Sequence, residues 1–125
     1  ARRDDCLMAR VETAGPERIQ GYSVILGDDN ACYDKLLVLL PEDTQGQREA
    51  DRKVWSMKIL PAYRQELEEN LPDQKNVALG GFCVKRKTGQ LPPGNYRIAV
   101  LAVHRIIKLK LWNTTGKYLT EEKHV

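Results

Sequence analysis

Apolar and polar residues alternate along most of this chain, in short runs separated by turn residues. Gly81-Phe82-Cys83-Val84-Lys85 and Asn95-Tyr96-Arg97-Ile98-Ala99-Val100 are the clearest cases. A period of two bounded by Gly, Pro, Asn and Asp predicts antiparallel strands that each bury one face. The first strand is expected over Cys6 to Glu12, with Leu7, Ala9 and Val11 sharing a face. After a Gly15-Pro16 turn, Arg18 to Leu26 sets Ile19, Gly21, Ser23 and Ile25 against Gln20, Tyr22, Val24 and Leu26. Gly27-Asp28-Asp29-Asn30 reads as a hairpin-type loop. Tyr33 to Leu40 is apolar without a break from Leu36, which predicts a central strand covered on both sides and ended by Pro41.

Glu42 to Asp51 is polar, a loop or a ragged helical turn. Lys53 to Ile59 resumes the alternation with Trp55, Met57 and Ile59 on one face, and Pro61 breaks it. Tyr63 to Leu71, stopped by Pro72, is the one predicted helix. Ala78–Lys85, Asn95–His104 and Ile107–Trp112 complete the strands, with Lys117–Leu119 as a short edge piece. The sum is an all-β fold: an immunoglobulin-like antiparallel β-sandwich of about seven strands with one short helix in a crossover.

The 125 residues are enough for one domain with its own core, so residues 1–125 are expected to form a single β-sandwich domain. No run of about 18 apolar residues is present, which predicts no membrane span. The polar start Ala1-Arg2-Arg3-Asp4-Asp5, without Met or a leader pattern, predicts a piece excised from a longer polypeptide, a processed mature chain being the alternative. The net charge of +3 is uneven: residues 1–80 carry 11 Lys/Arg against 15 Asp/Glu, and residues 81–125 carry 9 against 2. A basic sheet face can meet phosphate, nucleic acid or acidic glycan. These cations are spread along strands without interleaved aromatics, which fits solvent-facing Lys and predicts no nucleic-acid partner. Cys6, Cys32 and Cys83 are far apart and odd in number, pointing to a reducing, cytoplasmic location with thiols used as small apolar side chains. One disulfide plus a free thiol is the alternative.

Candidate chemistry is sparse. His104 ends an apolar strand, His124 lies in the tail, and neither completes a metal-ligand spacing. Asp28-Asp29-Asn30 lacks the spaced oxygens and distal Glu of a calcium loop. No nucleophile elbow, phosphate-cradling Gly loop or HExxH pattern occurs. The expectation is a chain with no catalytic residues, no metal and no cofactor, hence not an enzyme. Asn113-Thr114-Thr115 matches the N-glycosylation pattern, taken as chance in an intracellular chain. Sugar readers stack pyranoses on exposed aromatic rings, and only eight aromatics are present. Tyr22, Tyr63, Trp112 and Tyr118 are the platform candidates, because Trp55, Phe82 and Tyr96 fall on predicted core faces. Alternation puts Trp112 with Lys108 and Lys110, a group suited to an acidic sugar or to packing against another domain.

Four pieces occur in a recurrent order: Ile19-Gln20-Gly21-Tyr22, then Ala62-Tyr63-Arg64-Gln65-Glu66-Leu67, then Gly81-Phe82, then Leu91-Pro92-Pro93-Gly94-Asn95-Tyr96-Arg97-Ile98. Together they span about Leu7 to Leu119. This order resembles the β-sandwich accessory domains of bacterial polysaccharide and cell-surface glycan glycosyltransferases. Tyr22 stands where Trp is expected, and Glu66 where Asp is commoner. The resemblance implies a non-catalytic module beside a transferase domain of the same chain, mediating domain assembly, self-association or weak glycan contact. Membrane association would then come through other parts of the parent protein. Ligand contact, if made, is expected from Trp112, Tyr63, Arg64, Lys108 and Lys110. A dedicated carbohydrate-binding module and an extracellular adhesin-like domain are the competing readings. Independently of any resemblance, Gly21 and Gly81 suit close backbone approach beside aromatics. Arg64 and Glu66 suit a charged latch between the crossover and a sheet.

Overall fold

The alternation resolves into two packed sheets in the computed structural model, which describes residues 4–42 and 53–122. In chain order the strands are β1 (Leu7–Ala14), β2 (Arg18–Ile25), β3 (Tyr33–Pro41), β4 (Trp55–Lys58), β5 (Pro61–Ala62), β6 (Gly81–Lys85), β7 (Gly94–His104) and β8 (Lys110–Glu121). A six-residue helix, α1 (Gln65–Asn70), lies between β5 and β6. The first sheet has the order β1-β2-β6-β5 and the second β4-β3-β7-β8, with every pairing antiparallel. That is the immunoglobulin arrangement with one extra strand beside the third.

The core lies between the sheets. Leu7, Ile19, Ile25 and Phe82 enter from the first, and Leu37, Leu39, Ile98 and Val100 from the second. Each such side chain contributes ~1.5–3 kcal/mol by leaving water. Gly21 sits at a bulge of β1, where an added Cβ would fall 1.9 Å from the Arg10 carbonyl oxygen, so no side chain fits. At the start of β7, Tyr96 is buried and its hydroxyl donates to the Pro92 carbonyl at 2.5 Å, fastening the turn that brings the chain back across the sandwich. Nearby, the Arg86–Glu121 ion pair closes at 2.5 Å with both side chains almost fully buried. The Arg86 guanidinium also donates to the Pro16 carbonyl, and the Glu121 carboxylate accepts from the Gly89 N–H. Burial alone would raise the Glu121 pKa; Arg86 and the backbone donors outweigh it and hold the carboxyl below its ordinary value.

A smaller layer covers the outside of the first sheet. Helix α1 and a 3-10 turn (Val77–Gly80) bury Leu67 and Val77 against Val24, with Met8, Tyr22 and Leu71 around them.

Several expectations need correction. The Gly27–Asn30 loop is no hairpin: β2 and β3 belong to different sheets, and the buried Asn30 amide bridges both backbone groups of Ile25. Strand β3 is central but covered on one face only; Leu36, Val38 and Leu40 are half-buried on the other. Pro41 is its last paired residue. The helix is shorter than expected, and Ala78–Gly80 form the 3-10 turn. Pro61 begins an eighth strand at a sheet edge, where its missing N–H costs no ladder bond. Residues 110–121 are one strand with a register shift, joining the two pieces expected separately. Ile107 to Leu109 belong to the preceding turn, and Lys108 has φ 62 there. All three cysteines are free; Cys6 and Cys83 are exposed and only Cys32 packs against the core. Apart from Glu42, the predicted polar loop up to Asp51 lies outside the described residues.

Candidate functional site: a cleft on the open side of the sandwich

The short β5 creates an opening. It pairs only with Gly81 and Phe82, so Cys83 to Lys85 of β6 have no strand between them and β4, the edge of the other sheet. A smaller cleft of about 350 Å³ lies beside β5 and the start of β6, with Ile59, Leu60, Pro61 and Leu79 as its apolar wall. The gap itself, between β4 and Cys83–Lys85, holds a cleft of about 680 Å³ that shares Lys58 and Leu60 with the smaller one.

Lys35 lines the smaller cleft and points the wrong way for a lysine. Tyr33, Leu37 and Leu39 face the core, and side chains on a strand alternate, so Lys35 also faces inward. Its ammonium crosses between the sheets and donates to the Ser23 carbonyl of β2 at 2.6 Å. No carboxylate pairs with it among the described residues. Burial pushes its pKa down from 10.5 to about 8. Behind it Ser23 is fully buried with no partner for its hydroxyl. Gly80 packs tightly against Ser23: a Cβ there would come within 2.6 Å of the Ser23 carbonyl oxygen.

The surrounding polar groups are held in place. The Tyr33 hydroxyl donates to Asp28 at 2.6 Å, and its ring packs edge-on against His104 with centroids 5.1 Å apart. Burial first, and the Asp28 hydrogen bond second, push the Tyr33 pKa up to about 12. Arg105 bonds the Asp34 carboxylate at 3.3 Å and the Ala31 carbonyl, pinning the β7–β8 turn over the 3-10 turn at Asn30–Cys32. Lys58 stands at the rim with no ion pair among the described residues. Such a cleft suits an anion with an apolar body. No group of three or more His, Cys, Asp or Glu able to hold a metal occurs among the described residues.

The five residues marked from sequence do not converge. Arg64 stacks on Tyr22 outside the first sheet, and its guanidinium is taken by Glu12 of β1 at 2.5 Å and by Glu66. That is the latch between crossover and sheet. Tyr63 beside it is exposed. Lys110 and Trp112 lie on the outer face of the second sheet, opposite in parity to the buried Leu111, and Lys108 is in the turn before them. Trp112 is half-buried; its backbone N–H donates to the Asp4 carboxylate at 3.0 Å, its carbonyl accepts from the Asp4 N–H at 2.9 Å, and its buried indole N–H has no partner among the described residues. The Asn113 amide donates to the Leu7 carbonyl and the Thr115 hydroxyl, buried, to Ile98, so the glycosylation-like triplet is spent on internal bonds. Sequence reading missed Lys35. The signal was parity: once Leu37 and Leu39 are inward, so is Lys35, but the apolar run Leu36–Leu40 fits either parity. The chain matches no protein-family model, no curated protein and no solved structure. No helix among the described residues is long and apolar enough to cross a membrane.

Proposed function

We propose that this chain is a non-catalytic accessory module of a bacterial, cytoplasmic glycosyltransferase-type protein, docking against a neighbouring domain of the same polypeptide and contacting glycan only weakly. The carrying observation is the uneven covering of the two sheets. The first has α1 and a 3-10 turn over its outer face. The second carries Leu36, Val38, Leu40, Leu101, Val103 and Trp112 outward and half-buried, with Leu36, Leu101 and Trp112 in register across three strands. An apolar sheet face of this kind marks an interaction surface. Lys58 and Lys110, which have no ion pair among the described residues, would repel in a face-to-face pair of copies and favour a partner domain with acidic groups at its rim. The exposed tyrosines speak against a sugar platform, since Tyr63 lies in the loop between β5 and α1 and Tyr118 on β8 of the other sheet.

The test joins two measurements. In the polypeptide carrying this module with its neighbours, Leu101→Glu should loosen the docked arrangement, read as a larger radius of gyration by small-angle scattering. An unchanged radius overturns the docking face. On a glycan array, the isolated module should show no specific binding. Binding that disappears in Trp112→Ala would replace this reading with a dedicated carbohydrate-binding module.

A further inference from the structure

The inward lysine breaks the binary pattern of the core with a charge that has no ion partner among the described residues. Inward-pointing charges are used on edge strands to deter pairing, but β3 is flanked by β4 and β7 and has no free edge to protect. A cation placed between two sheets is costly unless it is paired. Arg86, at the opposite end, has its carboxylate; Lys35 has one neutral carbonyl. An ammonium carries three donors, so two remain for a ligand.

We propose that the cleft beside Lys35 is a binding site for a small carboxylate-bearing ligand, whose carboxylate supplies the counter-ion that the Lys35 ammonium lacks among the described residues. The surroundings fit. Lys58 adds a second positive charge at the rim and Arg105 is offset by Asp34, so the site offers one inward ammonium and one rim ammonium but no free guanidinium. That favours a carboxylate over a phosphate dianion, which calls for Arg forks or several backbone donors. Ile59, Leu60, Pro61 and Leu79 offer an apolar wall to the ligand body. The ligand would also strengthen the link between the sheets, because Lys35 bridges β3 to β2 through Ser23. This inference does not rest on the docking reading: the two share only Lys58 on the edge strand β4, and Lys35 itself points between the sheets, away from the outer face.

The test follows the Lys35 ammonium by NMR in protein labelled with 15N-lysine, assigned by its loss in Lys35→Met. Glucuronate, N-acetylglutamate, glucose and inorganic phosphate are titrated at constant ionic strength. The carboxylates should shift the Lys35 resonance saturably, with half-saturation on the order of 1–10 mM, and raise its pKa; glucose should not. Stronger binding of glucuronate identifies the source as an acidic sugar, and stronger binding of N-acetylglutamate as an acidic amino-acid group. Either supports the site. Lys35→Met should abolish the response of neighbouring backbone amides, and Lys58→Ala should weaken it a few-fold, which keeps the test intact if the methionine variant does not fold. A Lys35 resonance unmoved at 50 times the expected midpoint overturns the proposal. So does an equal response to glucose or to phosphate.

Discussion

Among the described residues two cations enter the interior of this sandwich, one near each end, and their surroundings differ. Arg86 is buried with Glu121, two backbone carbonyls and a neighbouring loop N–H, all closed within hydrogen-bond distance. Lys35 meets one carbonyl and an open cleft. The first arrangement joins the β1–β2 turn, the end of β6 and the end of β8, and leaves its charged groups no freedom to meet a ligand. The second leaves donors unused beside an opening. A buried charge is therefore informative through its missing partners.

Removing the carboxylate at the closed end should have the largest effect. Glu121→Ala leaves Arg86 buried without its ion, and breaking such a pair costs ~3–5 kcal/mol. Urea denaturation would read this as a lowered midpoint; a loss below ~1 kcal/mol would mean that Arg86 finds another partner, and the contrast would fail. Because the folded-state pKa of Glu121 is lowered, its stabilisation is present above the ordinary value of 4.5 and is lost as pH falls through the folded value. Glu121→Gln should flatten that part of the acid profile.

The open end predicts the reverse sign. Lys35→Met removes an unpaired interior charge and keeps the volume, so it should be neutral or stabilising by ~1–3 kcal/mol at pH 7. The folded-state pKa lies below that of the unfolded chain, so the unfolded state binds more protons between about pH 8 and 10.5, and wild-type stability rises across that window. The methionine variant should lack this rise. A destabilised variant with an unchanged alkaline profile would show that Lys35 holds the sheets together as it stands.

The smallest effect is expected at Arg64, whose pairs with Glu12 and Glu66 lie at the surface. Arg64→Ala should cost ~1 kcal/mol or less, most of it from stacking on Tyr22. A loss as large as that of Glu121→Ala would mean that the latch carries the whole crossover layer.

Alternation alone placed most strands, because one buried face imposes a period of two on the sequence; Leu7, Ala9 and Val11 or Ile98 and Val100 could face only one way. It was weaker where the tertiary structure supplies the ordering. Strand β5 is two residues long and exists only through its bonds to β6. The Ile107–Trp112 run looked like a strand, yet its first half turns, and β8 continues through Gly116 because β7 templates it. The covering of Tyr22 by Arg64 required a contact between the crossover and β2 that no local pattern encodes.

The sequence by itself determined the class of fold, the positions of most strands, the Tyr96 turn and the need for glycine at residues 21 and 81. These follow from local sterics and from burial of one strand face. Only the tertiary structure decided which strands are neighbours, that the Leu36–Leu40 run has one covered face, and that Lys35 points inward beside a cleft while Arg86 meets Glu121. Those depend on pairings far apart in the chain, where register and charge compensation are settled by partners that a linear pattern does not name.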